Sequence, residues 1–307
     1  MTDSDLDALR SRLAGHGVVD VVPLAGGASS LTYRGDRDGA PVVVKVAPPG
    51  HAPVGHRDVL RQARILDELS KSDVPVPVVL ARDEGSPPLF VMTLVEGDAF
   101  EPLFDRPQVF DPDVPQRYRE ATRVMAALHR VRPPLSEPVV DATAEVDRWC
   151  ATLGTVDAAL VPGWTNTADA LRSSVPAALE PSIVHGDFRL GNLLAEGARI
   201  KAVIDWEIWS LGDSRIDLGW FLINANPATY QRPSPYTDAV PTRAELLECY
   251  GNAPDIEWFM ALACFKSAAT WSLIVKHNRR RATPRPELEA MAPVLTGLLR
   301  QADELLA

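Results

Sequence analysis

Two short segments constrain this chain more than anything else in its 307 residues: IVHGDFRLGNLL at 183–194 and VIDWE at 203–207. Apolar, strand-like residues lead into each. The fold therefore has to present Asp187, with Asn192 five residues on, and Asp205 at the end of a second strand. One Asp, an Asn and a second Asp are the set that phosphoryl transfer from ATP requires. The first carboxylate accepts the proton of an attacking hydroxyl, and the Asn and second Asp hold magnesium against the triphosphate. At average residue frequencies, the HGDxxxxN pattern arises by chance in about one chain in a thousand of this length.

Composition narrows the partners. Hydrophobic residues make up 46% and charged residues 23% of the chain, ordinary values for a globular protein with ample length for a core. A formal net charge of −10 provides no basic excess to neutralise phosphates, so a nucleic-acid partner is not expected. Cys150, Cys249 and Cys264 have no CxxC spacing and are odd in number. They read as reduced, packed thiols of a cytoplasmic protein, not as a disulfide framework or zinc site. The start, MTDSDLDALRSRL, is acidic and amphipathic, unlike a secretory signal. No uninterrupted run of about 18 apolar residues occurs, so no membrane span is expected.

Along the chain, Leu6, Leu9 and Leu13 predict a helix over 3–14, followed by strands at Val18–Leu24 and from Leu31. A turn over Asp36–Ala40 leads to a β-branched strand, Pro41–Ala47, that carries Lys45. Val59, Ala63, Leu66 and Leu69 share one face of a helix over 57–70, and strands follow at Val74–Val79 and Leu89–Leu94. Helices are expected at 115–130, 144–160, 166–178, 242–250, 255–277 and 286–306. This is an α+β pattern with two parts: residues 1–95, an antiparallel sheet with a helix, and residues 96–307, mostly helical.

With HGDFRLGN, VIDWE, GGASSLTY at 26–33 and GDSRIDLGW at 212–220 in view, the chain resembles the aminoglycoside phosphotransferase and choline kinase-like family. VVKVAPPG, VPVP, FVM and HGDFRLGNLL bring it nearest to the phosphotransferase domains associated with acyl-CoA dehydrogenases. The resemblance implies a bilobal protein kinase-like fold, with a nucleotide-binding lobe over 1–95 and a catalytic and substrate-binding lobe over 96–307. It implies ATP and Mg2+ as cofactors and a small-molecule hydroxyl as acceptor.

Carried over residue by residue, the resemblance makes Asp187 the catalytic base and Asn192 and Asp205 the magnesium ligands, hard oxygen donors that suit that cation. Lys45 matches the lysine that bridges the phosphates, although the VVVKV alternation does not say which face it takes. Gly26, Gly27, Ser29 and Ser30 form a turn whose N–H groups would cover the phosphates, and Thr93 and Val95 bracket the backbone that would read adenine. Where relatives place a Glu to pair with the lysine, this chain has Gln62, with Asp58 a candidate to substitute for it. A continuing strand would set Glu207 on the same side as Asp205, as a metal neighbour or a plain surface carboxylate. His185, Asp213 and Asp217 are expected to brace the catalytic loop. His129 is expected to be a satisfied core histidine, and the seven Trp residues packing groups.

These residues favour an ATP- and magnesium-dependent phosphotransferase acting on a hydroxyacyl-type or other metabolite. An aminoglycoside acceptor would want the acidic Glu245, Glu248, Asp255 and Glu257, and a CoA ester the basic Lys276, His277, Arg279, Arg280 and Arg281. A non-catalytic nucleotide-binding pseudokinase, resting on Gln62, and transfer of AMP instead of phosphate are the alternatives.

Overall fold

A computed structural model describes residues 3–307 apart from 25–29, 106–109, 133–136 and 252. Gly26, Gly27 and Ser29 of the expected phosphate turn lie outside the described residues. The chain divides into two units, Met1–Ala99 with Asn192–Trp209, and Phe100–Gly191 with Ser210–Ala307. A single boundary between 95 and 96 therefore misses the return of Asn192–Trp209 to the first unit. Backbone pairing explains the return: Asp98 and Ala195 exchange N–H···O bonds of 2.8 and 3.0 Å.

The first unit contains α1 (Asp3–Ala14), β1 (Val18–Pro23), β2 (Leu31–Arg37), β3 (Ala40–Val46), α2 (Val59–Leu69), β4 (Val79–Asp83) and β5 (Leu89–Thr93). These five strands form one sheet in the order β1-β2-β3-β5-β4 with every neighbour antiparallel. β2 outlasts the expected turn, and Arg37 pairs with Ala40, leaving only Asp38 and Gly39 as the loop. The strand expected from Val74 starts at Val79, because Pro75 and Pro77 have no N–H to give to a ladder. The Leu9 and Leu13 face of α1 closes one side of the sheet over Val42, Val44, Val46, Leu89 and Val91. Burial of each such leucine contributes about 1.5–3 kcal/mol.

The second unit is mostly helical: α3 (Val114–Arg130), α4 (Ala142–Leu153), α5 (Trp164–Ser173), α6 (Arg215–Asn224), α7 (Pro227–Tyr230), α8 (Arg243–Tyr250), α9 (Ile256–Arg279), α10 (Pro286–Glu289) and α11 (Val294–Leu306). A small sheet of β6 (Val139–Val140), β7 (Ser182–Val184) and β10 (Ser210–Gly212) adjoins them, in the order β6-β10-β7. The hairpin β8 (Leu193–Glu196) and β9 (Arg199–Val203) belongs to the first unit. The helix expected over 286–306 is two helices, broken ahead of Pro293. α9 is long and apolar enough to cross a membrane, but 78% of its most apolar window is buried. It is the central helix of its unit, flanked by α4, α5, α6, α10 and α11.

Candidate active site

Strand alternation settles the face of Lys45. Val42, Val44 and Val46 go into the core under α1, so Val43 and Lys45 point the other way. With Phe90 and Met92 of β5 they line a cavity of about 270 Å³ that also takes in Gln62, Thr93, Val95, Asn192, Ile204 and Asp205. All of these residues belong to the first unit. Lys45 Nζ donates to Gln62 Oε1 at 3.3 Å and to Asp205 Oδ1 at 3.2 Å. Gln62 thus does contact the lysine, while its own Nε2 is buried with no hydrogen-bond partner. Asp58 does not substitute for it: its carboxylate caps α2 by accepting from Arg61 N–H and pairs with Arg64.

Asp205 sits at φ 69°, ψ 53°, a left-handed conformation that Asp tolerates better than most residues. This turns the chain off β9 into a 3-10 turn at Trp206–Ile208, so the strand expected to continue to Glu207 ends at Val203. Asn192 is buried, and its carbonyl accepts from Ile204 N–H at 3.0 Å, tying the Asn192 and Asp205 segments together. Thr93 N–H is committed to Val78 O and Leu94 N–H to Pro41 O. Ser30, the one described member of the expected phosphate turn, has a buried hydroxyl without a hydrogen-bond partner.

Asp187 belongs to the second unit. Gly186 before it adopts φ 85°, which a side chain would resist, and this aims the loop off β7. Asp217 of α6 accepts from the N–H groups of His185 and Gly186 at 2.6 and 2.8 Å, and His185 Nδ1 accepts from Asp187 N–H at 3.1 Å. His129, buried as expected, bonds Asp217 and the Tyr250 hydroxyl. Burial alone would raise the Asp217 carboxyl, but the hydrogen bond and charge of His129 and the His185 amide hold it below the usual carboxylate range. Asp213 does not brace this loop: it accepts from Arg215 and from Leu179 N–H.

Sequence reasoning passed over four groups at Asp187. Trp220 Nε1 donates to Asp187 Oδ1 at 2.8 Å, and Arg189 Nε donates to Oδ2 at 3.3 Å. Lys266 of α9 is buried, donates to Gly186 O and lies 3.9 Å above the Trp220 ring. Burial lowers its ammonium below the ordinary lysine value. Glu101 accepts from Gly191 N–H at 3.2 Å, and burial pushes its carboxyl up to about 7. Only the position of Arg189, two residues after the Asp, offered a signal in sequence.

A family model described as "Phosphotransferase enzyme family" matches residues 20–251. Mouse acyl-CoA dehydrogenase family member 10 is 25% identical over 313 residues, covering 89% of this chain and 28% of that protein. The chain therefore spans under a third of that relative's length. A Ralstonia eutropha protein provisionally described as an aminoglycoside phosphotransferase superposes with TM-score 0.76 at 22% identity, covering 98% of both chains. Aminoglycoside phosphotransferase APH(4)-Ia, in a ternary complex with ADP and hygromycin B, gives TM-score 0.65 at 18% identity, covering 96% of this chain and 98% of that one. These likenesses show the expected kinase-like α+β fold.

Proposed function

Because the chain belongs to the phosphotransferase enzyme family, whose members are small-molecule phosphotransferases, we propose that it moves the γ-phosphoryl group of ATP, with magnesium, to a hydroxyl of a hydroxyacyl-type or similar metabolite. One observation carries this reading: Lys45, Gln62, Asn192 and Asp205 converge on one largely apolar cavity. The donor set fits magnesium and a triphosphate. Asn192 and Asp205 offer the one or two oxygen ligands that magnesium takes alongside substrate phosphates. The orphaned Gln62 Nε2 and Ser30 hydroxyl are donors without acceptors, as phosphate oxygens would require.

Bound magnesium supplies charge neutralisation of the triphosphate. Lys45 holds the phosphates, and the Val95 amide, with Thr93 and Leu94 already bonded, meets the adenine edge. Asp187 takes the proton of the acceptor hydroxyl, its carboxylate oriented by Trp220. Nucleotide binding falls to the unit of residues 1–99 and 192–209, and acceptor binding to the unit of residues 100–191 and 210–307.

The acceptor preference rests on charge. Glu245 pairs with Arg119 at 2.7 Å, Asp255 with Arg215 at 3.2 Å, and Glu257 with Arg243, so these carboxylates are already matched by cations. A polycationic aminoglycoside would have to displace them. Free thiols at Cys150, Cys249 and Cys264 suit a reducing, cytoplasmic setting. The test is ADP formation from magnesium-ATP across separate pools of hydroxyacyl-CoAs, aminoglycosides, choline and homoserine. Turnover that depends on the hydroxyacyl pool supports the proposal. Turnover confined to aminoglycosides replaces the acceptor, and tight ATP binding with no turnover in any pool favours a pseudokinase.

A further inference from the structure

We infer that Lys266 is a positioning residue for the transfer step: from the interior of α9 its ammonium holds the Asp187 carboxylate in place through two neighbours, the Gly186 carbonyl and the Trp220 indole. The inference rests on the reading of Asp187 as proton acceptor and gives a task to a buried charge that the reading leaves unused.

Packing does not call for a lysine at this point of α9. Phe265 and Ala268 beside it are 0% exposed and Lys266 itself 6%, and a methionine would fill similar space with no ammonium to desolvate. Nor does an ion pair offset the desolvation. The carboxylates whose charge reaches Lys266 are those of Asp187, Glu145 and Asp217, with the Arg148 cation opposing them. Each is bonded elsewhere. Asp187 accepts from Trp220 and Arg189, and Glu145 accepts from Arg148 and Trp149. Asp217 is bonded to His129 and to the His185 and Gly186 amides. Lys266 forms an ion pair with none of them. A buried charge kept at the expense of stability marks a position where function decides the residue.

Two contacts of the ammonium bear on Asp187. It donates to the Gly186 carbonyl, which belongs to the planar peptide unit that leads into Asp187. The Gly186 N–H is held from α6 by Asp217 at 2.8 Å, so the bond from α9 fixes the other polar group of this glycine. The ammonium also lies 3.9 Å from the centre of the Trp220 ring, whose Nε1–H donates to Asp187 Oδ1 at 2.8 Å. A cation on an indole face draws electron density from the ring and strengthens its N–H as a donor. Trp149 of α4, 5.6 Å from Nζ, adds a second ring. One side chain thus sets both the backbone that carries the carboxylate and the donor that orients it. In the step Lys266 gives up no proton; the hydroxyl proton passes to Asp187 while the γ-phosphorus exchanges its bridging oxygen for the acceptor oxygen.

The experiment uses the full chain and compares wild type with Lys266→Met. The first readout is the indole N–H resonance of Trp220, assigned by its loss in Trp220→Phe. It should move upfield in Lys266→Met as the bond to Asp187 weakens. The second is magnesium-ATP hydrolysis with water as acceptor. Misplacing a reacting group by about 1 Å can cost about 10²-fold, so kcat should fall about 10- to 100-fold with the KM for ATP within twofold. The third is Tm, which should equal or exceed that of wild type because an unpaired buried charge is gone. In Lys266→Ala, added n-propylammonium should restore part of the rate and n-propanol none.

An unmoved Trp220 resonance, or a kcat within threefold of wild type, overturns the inference. So does a fall in kcat that comes with a lower Tm and no rescue by the ammonium, since Lys266 would then serve packing alone. Asp187→Asn is run alongside. If it keeps wild-type turnover, the reading of Asp187 fails separately. If wild type hydrolyses no ATP, the kinase reading is what fails, and the Trp220 resonance alone decides whether Lys266 sets the indole.

Discussion

Lys45 Nζ lies 3.2 Å from Asp205 Oδ1, so the cation proposed for the phosphates and the carboxylate proposed for magnesium are each other's partner before either ligand arrives. On the proposed reading, ATP takes Lys45 away from Asp205 and magnesium would compensate the carboxylate. Asp205→Asn should therefore bind ATP severalfold more tightly than wild type in EDTA, because a competing, repelling carboxylate is gone. Its turnover with magnesium should fall by about a hundredfold or more. Equilibrium ATP binding in EDTA decides the point, and weaker metal-free binding would contradict the assignment of this pair.

Trp220→Phe keeps an aromatic ring beneath Lys266 and removes the Nε1–H···Oδ1 bond of 2.8 Å to Asp187 together with part of the indole's volume. A hydrogen bond to a charged group contributes about 1.5–3 kcal/mol. If that bond holds the carboxylate in its reactive orientation, kcat should drop about tenfold or more with the KM for ATP unchanged. Steady-state kinetics at saturating ATP would show it; a rise in KM alone would move Trp220 to a binding role.

The fold, and the loop that carries the proposed proton acceptor, were legible because they rest on local patterns. The β-branched alternation of 41–47, the helical spacing of Leu9 and Leu13, and the offset from Asp187 to Asn192 are all read within a few residues. What could not be read was set by distant packing. The face of Lys45 depends on α1 covering the opposite side of β3. The end of the strand before Glu207 depends on one left-handed residue, Asp205. Trp220, Lys266 and Glu101 reach the Asp187 loop from 33, 80 and 90 residues away along the chain. No periodicity carries that information.

Gly219 marks the crossing of α6, which carries Asp217 and Trp220, against α9, which carries Lys266. A Cβ there would stand 2.5 Å from Phe259 O, a backbone atom of α9 that cannot rotate away. Gly219→Ala should destabilise the protein by about 1–3 kcal/mol and lower its Tm. An unchanged melting temperature would mean the two helices separate at no cost.

Glu101 gives the stability a pH dependence of definite sign. Burial raises its carboxyl from 4.5 to about 7, so the folded state keeps a proton that the unfolded chain has lost between those values. The folded state binds more protons there, and stability falls as pH rises through that window, then levels off above about 7. The contribution amounts to a few kcal/mol. Glu101→Gln cannot ionise, so its denaturant midpoint should gain on that of wild type from pH 5 to 7.5. A constant difference between the two proteins over that range would show that Glu101 does not titrate there.

Asp187 is the group proposed to take the acceptor's proton. The most direct test is transfer of labelled γ-phosphate from magnesium-ATP to a hydroxyl acceptor, comparing wild type with Asp187→Asn after confirming equal ATP affinity. Wild type should yield labelled acceptor, and the variant should do so at a rate lower by a factor of about a hundred or more. Equal rates from the two folded proteins would contradict that role.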